Sequence, residues 1–231
     1  MVAIMVAITI IGFVVLDLVI QHLKGKKAHE EQKVNLDFAD FRVPVSTFFY
    51  PGHTWVNIQS NGEVRVGFDD FVRKVIGDIE SIEFPEQGKA LKQGEKAFTV
   101  KSGNKTLSFL SPVDGEVTTI NKLMLANPAG VARSAYHSGW ILAVKPTNLS
   151  ANLKMMKIAE DAVEWLKAEI RRFREFALGE NLHSIKDELQ YEVGRTSQDG
   201  GCLTEGMLGR MDEKAVKYFE EEFLGRPHEN R

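Results

Sequence analysis

Cysteine is nearly absent from this chain, and its scarcity excludes two kinds of stabilising site. Cys202 is the only cysteine among 231 residues. An intramolecular disulfide is therefore impossible, and zinc sites built from paired cysteines are excluded as well. A chain of this length can bury enough apolar surface to fold without such cross-links. We assign no role to Cys202.

An excess of positive charge is also lacking. The chain carries 29 Lys and Arg against 32 Asp and Glu, which gives a net charge of −3. Proteins that bind nucleic acid usually concentrate basic residues on one face, so we predict no nucleic-acid partner. The sequence also lacks a nucleophile paired with a base, a metal-ligand cluster and a phosphate-binding glycine loop. We therefore predict no independent enzyme activity and no metal site.

One long hydrophobic run is present, at the beginning of the sequence. Residues Met1 to Ile20 contain a single charge, that of Asp17. About 20 helical residues, rising roughly 1.5 Å each, cross a hydrocarbon core of about 30 Å. A cleaved signal peptide would start with basic residues and end with small residues at a cleavage site, and this run has neither. We predict a transmembrane helix over residues 1–23 that contacts the lipid bilayer through residues 1–20.

Basic residues follow this run but do not precede it. Lys24, Lys26 and Lys27 lie directly after the apolar segment. Because positive flanking residues favour the cytoplasmic side, we expect a single-pass membrane protein whose soluble part lies on the cytoplasmic face.

The next two regions differ in pattern. Residues 24–42 are charged and lack apolar periodicity, which is typical of an exposed linker. Structure resumes near Val43, and between Thr54 and Thr118 the chain alternates short β-like runs with turn residues. A helix-like segment interrupts them and ends at Ile76 after a cap at Asp69 or Asp70. Examples of the β-like runs are residues 55–58, 63–68, 79–84 and 97–100. This region is predicted to be a β-rich domain with one or two short helices.

The remainder of the chain favours helices. Apolar residues recur every three or four positions from Met155 to Ala177, which predicts one amphipathic helix over residues 151–178. Its expected N-cap is Ser150 and its expected stop is Gly179. This helix either packs on its own sheet or offers a docking surface to a partner.

A second helix is predicted from Asp212 to Leu224, after a polar loop at residues 195–204. Its apolar side holds Val216, Phe219 and Phe223. The fold class is therefore α+β. The predicted parts are a transmembrane helix (1–23), a linker (24–42), a β domain (43–147) and a helical C-terminal extension (148–231).

Three stretches of the β-rich region form an ordered set of motifs. The first is Tyr50-Pro51-Gly52-His53-Thr54-Trp55-Val56, followed by Val66-Gly67-Phe68-Asp69-Asp70-Phe71 and Gly77-Asp78-Ile79. The second is Phe84-Pro85-Glu86-Gln87-Gly88-Lys89, followed by Gly94-Glu95. The third is Ser111-Pro112-Val113-Asp114-Gly115-Glu116-Val117, followed by Asn121, Asn127-Pro128 and Tyr136-His137-Ser138-Gly139-Trp140-Ile141. In this order and spacing, the motifs resemble those of the glycine cleavage system H protein.

The resemblance implies a lipoyl-type β-sandwich that acts as a carrier and is not itself catalytic. In that family, a lysine at a hairpin tip bears lipoate, and the arm visits decarboxylase, aminomethyltransferase and dihydrolipoyl dehydrogenase partners. The motif residues also have structural roles to fill. We expect Trp55 and Trp140 to be core residues, and His53 to be a structural histidine rather than a metal ligand.

The hairpin that would carry the arm can be placed by its alternating pattern. A two-residue turn at Gly103-Asn104 sets Ser102 opposite Lys105 and puts four apolar side chains on the core face. These are Phe98, Val100, Leu107 and Phe109. The polar face then holds Thr99, Lys101, Thr106 and Ser108. By the family's spacing from Pro112, the attachment position falls on Asn104, whose amide cannot be lipoylated. Three positions earlier, where the family is expected to have an acidic residue, this chain has Lys101.

Two functions follow from this hairpin. The first is a membrane-anchored, H-protein-like module that binds protein partners in a membrane-associated complex and carries no cofactor. The second is a lipoyl carrier, with lipoate attached to Lys105 through a slip of one residue. Against the second, parity places Lys105 on the face of Leu107 and Phe109 rather than at the apex.

Overall fold

The computed structural model of this chain describes residues 33–35, 41–128, 135–178 and 205–225. The chain divides into two compact units, residues 1–33 and residues 34–231. The predicted membrane anchor, from Met1 to Ile20, lies outside the described residues. Among the residues that are described, no helix is both long enough and apolar enough to cross a membrane.

Twelve strands are described in the chain, and they cover the β-rich region predicted from the sequence. They are β1 Lys33–Asn35, β2 Arg42–Pro44, β3 Phe48–Phe49, β4 Thr54–Ile58, β5 Val64–Phe68, β6 Ser81–Glu83, β7 Ala90–Leu91, β8 Lys96–Ser102, β9 Lys105–Leu110, β10 Gly115–Ile120, β11 Leu142–Pro146 and β12 Lys157–Ile158.

Two antiparallel sheets form a β-sandwich. The larger sheet has the strand order β12-β3-β4-β5-β11-β10-β7, and the smaller one has the order β6-β8-β9. The ring of Phe68 on β5 lies 6.4 Å from that of Phe98 on β8 and 5.1 Å from that of Phe109 on β9. Since these rings come from both sheets, they fill the space between them. The predicted lipoyl-type β-sandwich is confirmed.

Five α-helices are described. They are α1 Asp70–Ile76, α2 Lys122–Ala126, α3 Leu149–Asn152, α4 Ala159–Leu178 and α5 Glu213–Phe219. Two 3₁₀ turns, Leu153–Met155 and Met207–Arg210, and a π-helical turn at Glu220–Leu224 are also described. Of the two caps predicted for α1, Asp69 is the one formed, because its carboxylate accepts a hydrogen bond from the backbone N–H of Val72 at 3.0 Å, and Asp70 is the first helical residue.

The prediction of one helix over residues 151–178 is wrong in its first turns. The Asn152 side chain accepts from the backbone N–H of Asp114 at 3.0 Å and donates to the Asp114 carboxylate at 3.0 Å, which ties α3 to the sandwich. Strand β12 then pairs with β3. Ala159 adopts a left-handed φ of 51°, and α4 begins only at this residue. Ser150 is not an N-cap, because tertiary hydrogen bonds replace a continuous helix at this point.

The helical extension shares one core with the β-sandwich. The ring of Phe173 on α4 lies 5.4 Å from that of Phe71 on α1, and 5.7 Å from those of Phe219 and Phe223. All four side chains are buried. The structure therefore decides between the two alternatives for the apolar stripe: it packs within its own chain. Residue 148 begins a new type of secondary structure but not a separate compact unit.

The predicted final helix is confirmed, and its last turn, Glu220–Leu224, is π-helical. Asp212 caps α5 by accepting a hydrogen bond from the backbone N–H of Ala215 at 2.7 Å. The linker prediction for residues 24–42 is wrong where β1 and the start of β2 lie inside it, and where Phe41 is buried. The ring of Phe41 contacts that of Phe71, with 6.5 Å between centroids, so the hydrophobic core begins before residue 43.

Candidate functional site

The hairpin formed by β8 and β9 has the register predicted from its sequence. Ser102 pairs with Lys105, Lys101 with Thr106, Val100 with Leu107, Thr99 with Ser108, and Phe98 with Phe109. Gly103 has a φ of +58°, a conformation that the two-residue turn requires and that glycine adopts at little cost. The four core-face side chains are buried as predicted. The other face is polar as predicted but not wholly exposed, because Thr99 is buried too.

The apex of the hairpin carries an amide rather than an amine. Asn104 is exposed at the turn, and Lys101 is exposed on the strand that leads into it. Asn104 occupies the outermost position of the hairpin, and its side chain can offer hydrogen bonds but no nucleophilic nitrogen. The position that the family's spacing assigns to the arm is thus accessible, but it holds a residue that cannot bear one.

The neighbouring amine, that of Lys105, is bound by the C-terminal part of the chain. Its Nζ donates to the backbone carbonyl of Leu208 at 2.6 Å and to that of Met211. These carbonyls lie at the 3₁₀ turn Met207–Arg210 and just after it, at the C-terminal end of the turn, where main-chain oxygens carry a partial negative charge. Lys105 is partly buried, as its position on the face of Leu107 and Phe109 predicts.

The electrostatics of Lys105 reflect this contact. Burial lowers the pKa of its amine from the usual range, and the negative charge of Asp212 partly opposes the shift. Two neutral carbonyl dipoles, rather than an opposing carboxylate, are the groups that the ammonium touches. The contact therefore depends on the hydrogen atoms of the ammonium and on their direction, as well as on its charge.

The segment that binds Lys105, residues 205–225, is fastened to the sandwich at further points. The carboxylate of Glu220 accepts a hydrogen bond from the backbone N–H of Ser108 at 2.7 Å. Strand β9 ends the strand order of its sheet, so this N–H points away from the ladder and needs a partner. Near the start of the segment, Glu205 binds Arg73 at 2.8 Å. We call residues 205–225 the C-terminal cover.

A close backbone approach fixes the beginning of the cover. The N–H of Gly206 donates to the carbonyl of Lys74 at 2.8 Å. A Cβ atom on Gly77 would lie 2.6 Å from the Cα of Gly206, closer than real contacts allow. Gly77 also has a φ of +72°. Only glycine at position 77 satisfies both conditions, so the end of α1 is shaped to receive the cover.

The residues at the tip do not fit a lipoyl group in this arrangement. Attachment requires a free amine that a ligase can reach and an arm that can move through solvent. Asn104 lacks the amine, and the amine of Lys105 is held against two carbonyls of the cover. The exposed amine of Lys101 lies on the opposite strand, three positions before Asn104. No step of chemistry is therefore assigned to this hairpin.

A second cluster forms around the motif residue His53, which is fully buried. Its Nδ1 lies 2.7 Å from the carboxylate of Asp69, and its Nε2 lies 3.6 Å from that of Glu169 on α4. The ring lies against the rings of Phe71 and Trp165, with centroids 4.8 and 4.9 Å away. Because the two carboxylates face opposite ring nitrogens, they do not converge on a common point as metal ligands would.

Charge explains how this histidine can be buried. Burial by itself lowers its pKa, but Asp69 and Glu169 more than offset that effect and raise the pKa of His53 to about 9. Asp69 also caps α1, so one carboxylate orients both the helix and the imidazole. His53 adopts a left-handed φ of 57°, a conformation that costs a non-glycine residue energy and that its neighbours must hold.

The two predicted core tryptophans differ. Trp55 is fully buried, and its Nε1–H donates to the carbonyl of Phe68 at 2.9 Å. A Cβ atom on Gly67 would lie 2.6 Å from the Trp55 ring, which explains the glycine in that motif. Trp140 packs against the core but stays partly exposed, with the guanidinium of Arg65 lying 5.1 Å from its ring centroid.

Sequence reasoning missed the residues that complete these two clusters. Glu169 follows Leu166 by three positions and precedes Phe173 by four, so helical spacing places it beside the apolar stripe and could have marked it as a partly buried acid. The carbonyls of Leu208 and Met211 have no such signal, because main-chain groups are the same in every residue. Glu220 likewise gives no local sign that it reaches Ser108.

Comparison with known proteins agrees with the motifs and the sandwich. The family described as "Glycine cleavage H-protein" matches residues 48–169. A "Probable glycine cleavage system H protein" of Pyrococcus abyssi is 32% identical over 133 residues, which are 58% of this chain and 98% of the relative. A "Glycine cleavage system H protein" of Teredinibacter turnerae is 34% identical over 102 residues, 44% of this chain and 78% of the relative.

Among solved structures, a glycine cleavage system H protein from Mycobacterium marinum is similar at 25% identity and a TM-score of 0.47, covering 55% of this chain and 98% of that one. The family match extends over more than half of the chain and includes every motif quoted above. The chain therefore belongs to the glycine cleavage H-protein family.

Proposed function

We propose that this protein is a non-catalytic member of its family that serves as a protein-interaction or assembly module and carries no lipoate. The observation that supports this proposal is the state of the hairpin tip. Asn104 stands at the exposed apex, while the neighbouring amine of Lys105 is bound to the carbonyls of Leu208 and Met211. Members of the family normally carry lipoate and interact with other glycine cleavage proteins. We infer that partner binding persists here without the arm.

The survival of the sandwich itself supports an interaction role. The hairpin keeps the register, the apolar pairs and the glycine turn predicted from its sequence, so the tip presents a defined surface to a partner. A partner that recognised this surface would not need the cofactor for binding, because complementarity of shape and hydrogen bonding determines such contacts. We further propose that residues 1–20 hold the module at a membrane, facing the cytoplasm, within a membrane-associated complex.

The mass of the protein from its natural source tests the absence of lipoate. We expect the intact mass of wild-type protein, isolated under lipoate-replete conditions, to equal the mass calculated from the sequence. The Asn104→Lys variant, expressed in the same cells, restores an amine at the apex and serves as the matched positive control. A lipoyl increment on the wild type that disappears in Lys105→Ala would overturn the proposal.

That outcome would favour the second candidate, a lipoyl carrier modified at Lys105. The specific observation in its favour is proximity, since Lys105 directly follows the apex residue. It requires the Lys105 amine to leave the two carbonyls that it contacts. Peptide mapping of the increment to Lys105, rather than to Lys101, would establish it.

A further inference from the structure

The contact between Lys105 and the C-terminal cover joins residues that are about a hundred positions apart. An ammonium has three hydrogen atoms to donate and no lone pair. Two of those donors are used here, on the carbonyls of Leu208 and Met211. The Leu208 carbonyl also accepts from the backbone N–H of Met211 at 3.2 Å, so the 3₁₀ turn holds both acceptors in a fixed arrangement around the amine.

Acylation of this amine cannot take place in the bound arrangement. A neutral amine must use its lone pair to attack the carbonyl carbon of an activated carboxylate, such as an acyl thioester. A C–N bond then forms, the bond from carbon to sulfur breaks, the thiol leaves, and the nitrogen releases a proton. The amide that results keeps one N–H, has no charge and carries an acyl group where the two carbonyls now lie.

Polar contacts join the cover to the hairpin at two points. The cover lies outside the family match, which ends at residue 169. Besides its buried apolar side chains, among them Leu208, Phe219 and Phe223, it is joined to the hairpin by Lys105 at one end and by the Glu220 contact with Ser108 at the other. Both contacts involve one charged group, so neutralising either group weakens the attachment.

We propose that Lys105 and the C-terminal cover form a two-state switch, in which docking of residues 205–225 and acylation of the Lys105 amine exclude each other. In the closed state the cover shields the amine from acyl donors. In the open state the amine is reactive, and once it is acylated the cover cannot return to its place. Because the two events compete for one nitrogen, the coupling acts equally in both directions.

This inference goes beyond the proposed function and does not depend on it. It assigns the cover a regulatory role whether the acyl group found on the protein in its source is lipoyl, another acyl group or none. A lipoyl increment in the native mass would contradict the proposed function and leave the switch standing. Equal acetylation rates would contradict the switch and leave the proposed function standing. The switch is tested on purified full-length protein with a small acyl donor.

The forward test measures acetylation rates with sulfo-N-hydroxysuccinimidyl acetate, resolved to single lysines by mass spectrometry. Lys101 is the internal reference, because it is exposed on the same hairpin. We expect Lys105 in the wild type to react about tenfold more slowly than Lys101, as a cover that is closed most of the time requires. Equal rates would refute the closed state.

A double variant that weakens the attachment of the cover, and a matched control, form the second test. The double variant Glu205→Ala/Glu220→Ala removes two of its fastenings without altering its aromatic side chains. We expect it to raise the Lys105 rate severalfold and to leave the Lys101 rate unchanged. Glu213→Ala, an exposed residue in the first turn of α5, is the control and should change neither rate. An unchanged Lys105 rate in the double variant would also refute the switch.

The reverse test needs no modification reaction and covers the case in which the double variant fails to fold. Lys105→Gln mimics a neutral, acylated side chain, whereas Lys105→Arg keeps the charge and several donors. Hydrogen exchange of the amides in residues 205–225 should accelerate at least severalfold in Lys105→Gln and less in Lys105→Arg. The amides of paired strands β4 and β5 are the reference and should not change. Unaltered exchange in the cover of Lys105→Gln would overturn the proposal.

Discussion

At the scale of single residues, the buried imidazole of His53 connects two distant parts of the chain through its charge. Its two nitrogens face carboxylates that come from different parts of the chain, Asp69 before α1 and Glu169 within α4. Glu169 also binds Arg172 at 3.1 Å, so its negative charge has a second partner. The ring thereby links the first motif of the sandwich to the long helix, and Phe71 and Trp165 exclude water from the link.

This charge predicts a dependence of stability on pH. The pKa of His53 is raised from 6.5 to about 9 in the folded protein, so the folded state binds its proton more tightly than the unfolded state. The stabilisation is complete below about pH 6.5 and is lost as the pH rises through about 9. We expect the free energy of unfolding to fall by roughly 2–3 kcal/mol across that window, measured by urea denaturation.

Two variants isolate the contribution of His53. His53→Gln keeps a hydrogen-bonding side chain without a titrating proton, so its free energy of unfolding should be lower at pH 6.5 and should change less up to pH 9. His137 is exposed, and His137→Gln should retain the wild-type slope. If His53→Gln kept the full slope, a different group would be responsible for it.

At the scale of elements, α4 and the C-terminal cover pack against α1 through a cluster of buried aromatic rings. Phe173 stands at the centre, with edge-on contacts to Phe71, Phe219 and Phe223. The rings of Phe219 and Phe223 are themselves stacked at 5.2 Å, one helical turn apart. The apolar stripe predicted from helical periodicity is therefore buried inside the chain.

Removing the central ring tests the energetic weight of this cluster. Phe173→Ala should lower the free energy of unfolding by about 3–5 kcal/mol, because it leaves a cavity at a site that is 1% exposed. Glu175→Ala, on the exposed side of the same helix, should change it by no more than about 0.5 kcal/mol. Chemical denaturation of both variants at one pH provides the comparison. A loss below about 1 kcal/mol for Phe173→Ala would show that α4 is only loosely attached.

At the scale of the whole molecule, the sandwich, α4 and the cover belong to one compact unit, residues 34–231. Residues 1–33 form the other unit, and the proposed membrane anchor lies within it. If the two units are independent in stability, the anchor can be removed without loss of the fold.

Deletion of residues 1–23 is the corresponding prediction. We expect the truncated protein to move from the membrane fraction to the supernatant on centrifugation, because the only long apolar run of the sequence is gone. Its thermal unfolding midpoint should match that of detergent-solubilised full-length protein, measured in the same detergent. Continued association of the truncated protein with membranes would instead place the attachment within residues 24–231.

Local chemistry in the sequence determined much of the molecule. The alternation of apolar and polar residues set the pairing of β8 with β9 residue by residue, because a shift of one position would turn every core side chain outward. Asp69 and Asp212 marked the starts of α1 and α5, since each caps a helix within three residues of itself. The motifs indicated the family, which the comparison confirmed.

Only the tertiary structure decided the features that depend on distant partners. Asn152 and β12 interrupt the helix predicted over residues 151–178 because they bond to strands far away in the sequence. Lys105 is bound rather than free because two main-chain carbonyls, 103 and 106 positions further on, are brought to it by the folded cover. The sequence placed that lysine one step from the apex, and the fold determined that its amine is occupied, since no local pattern records which backbone oxygen will lie beside a side chain.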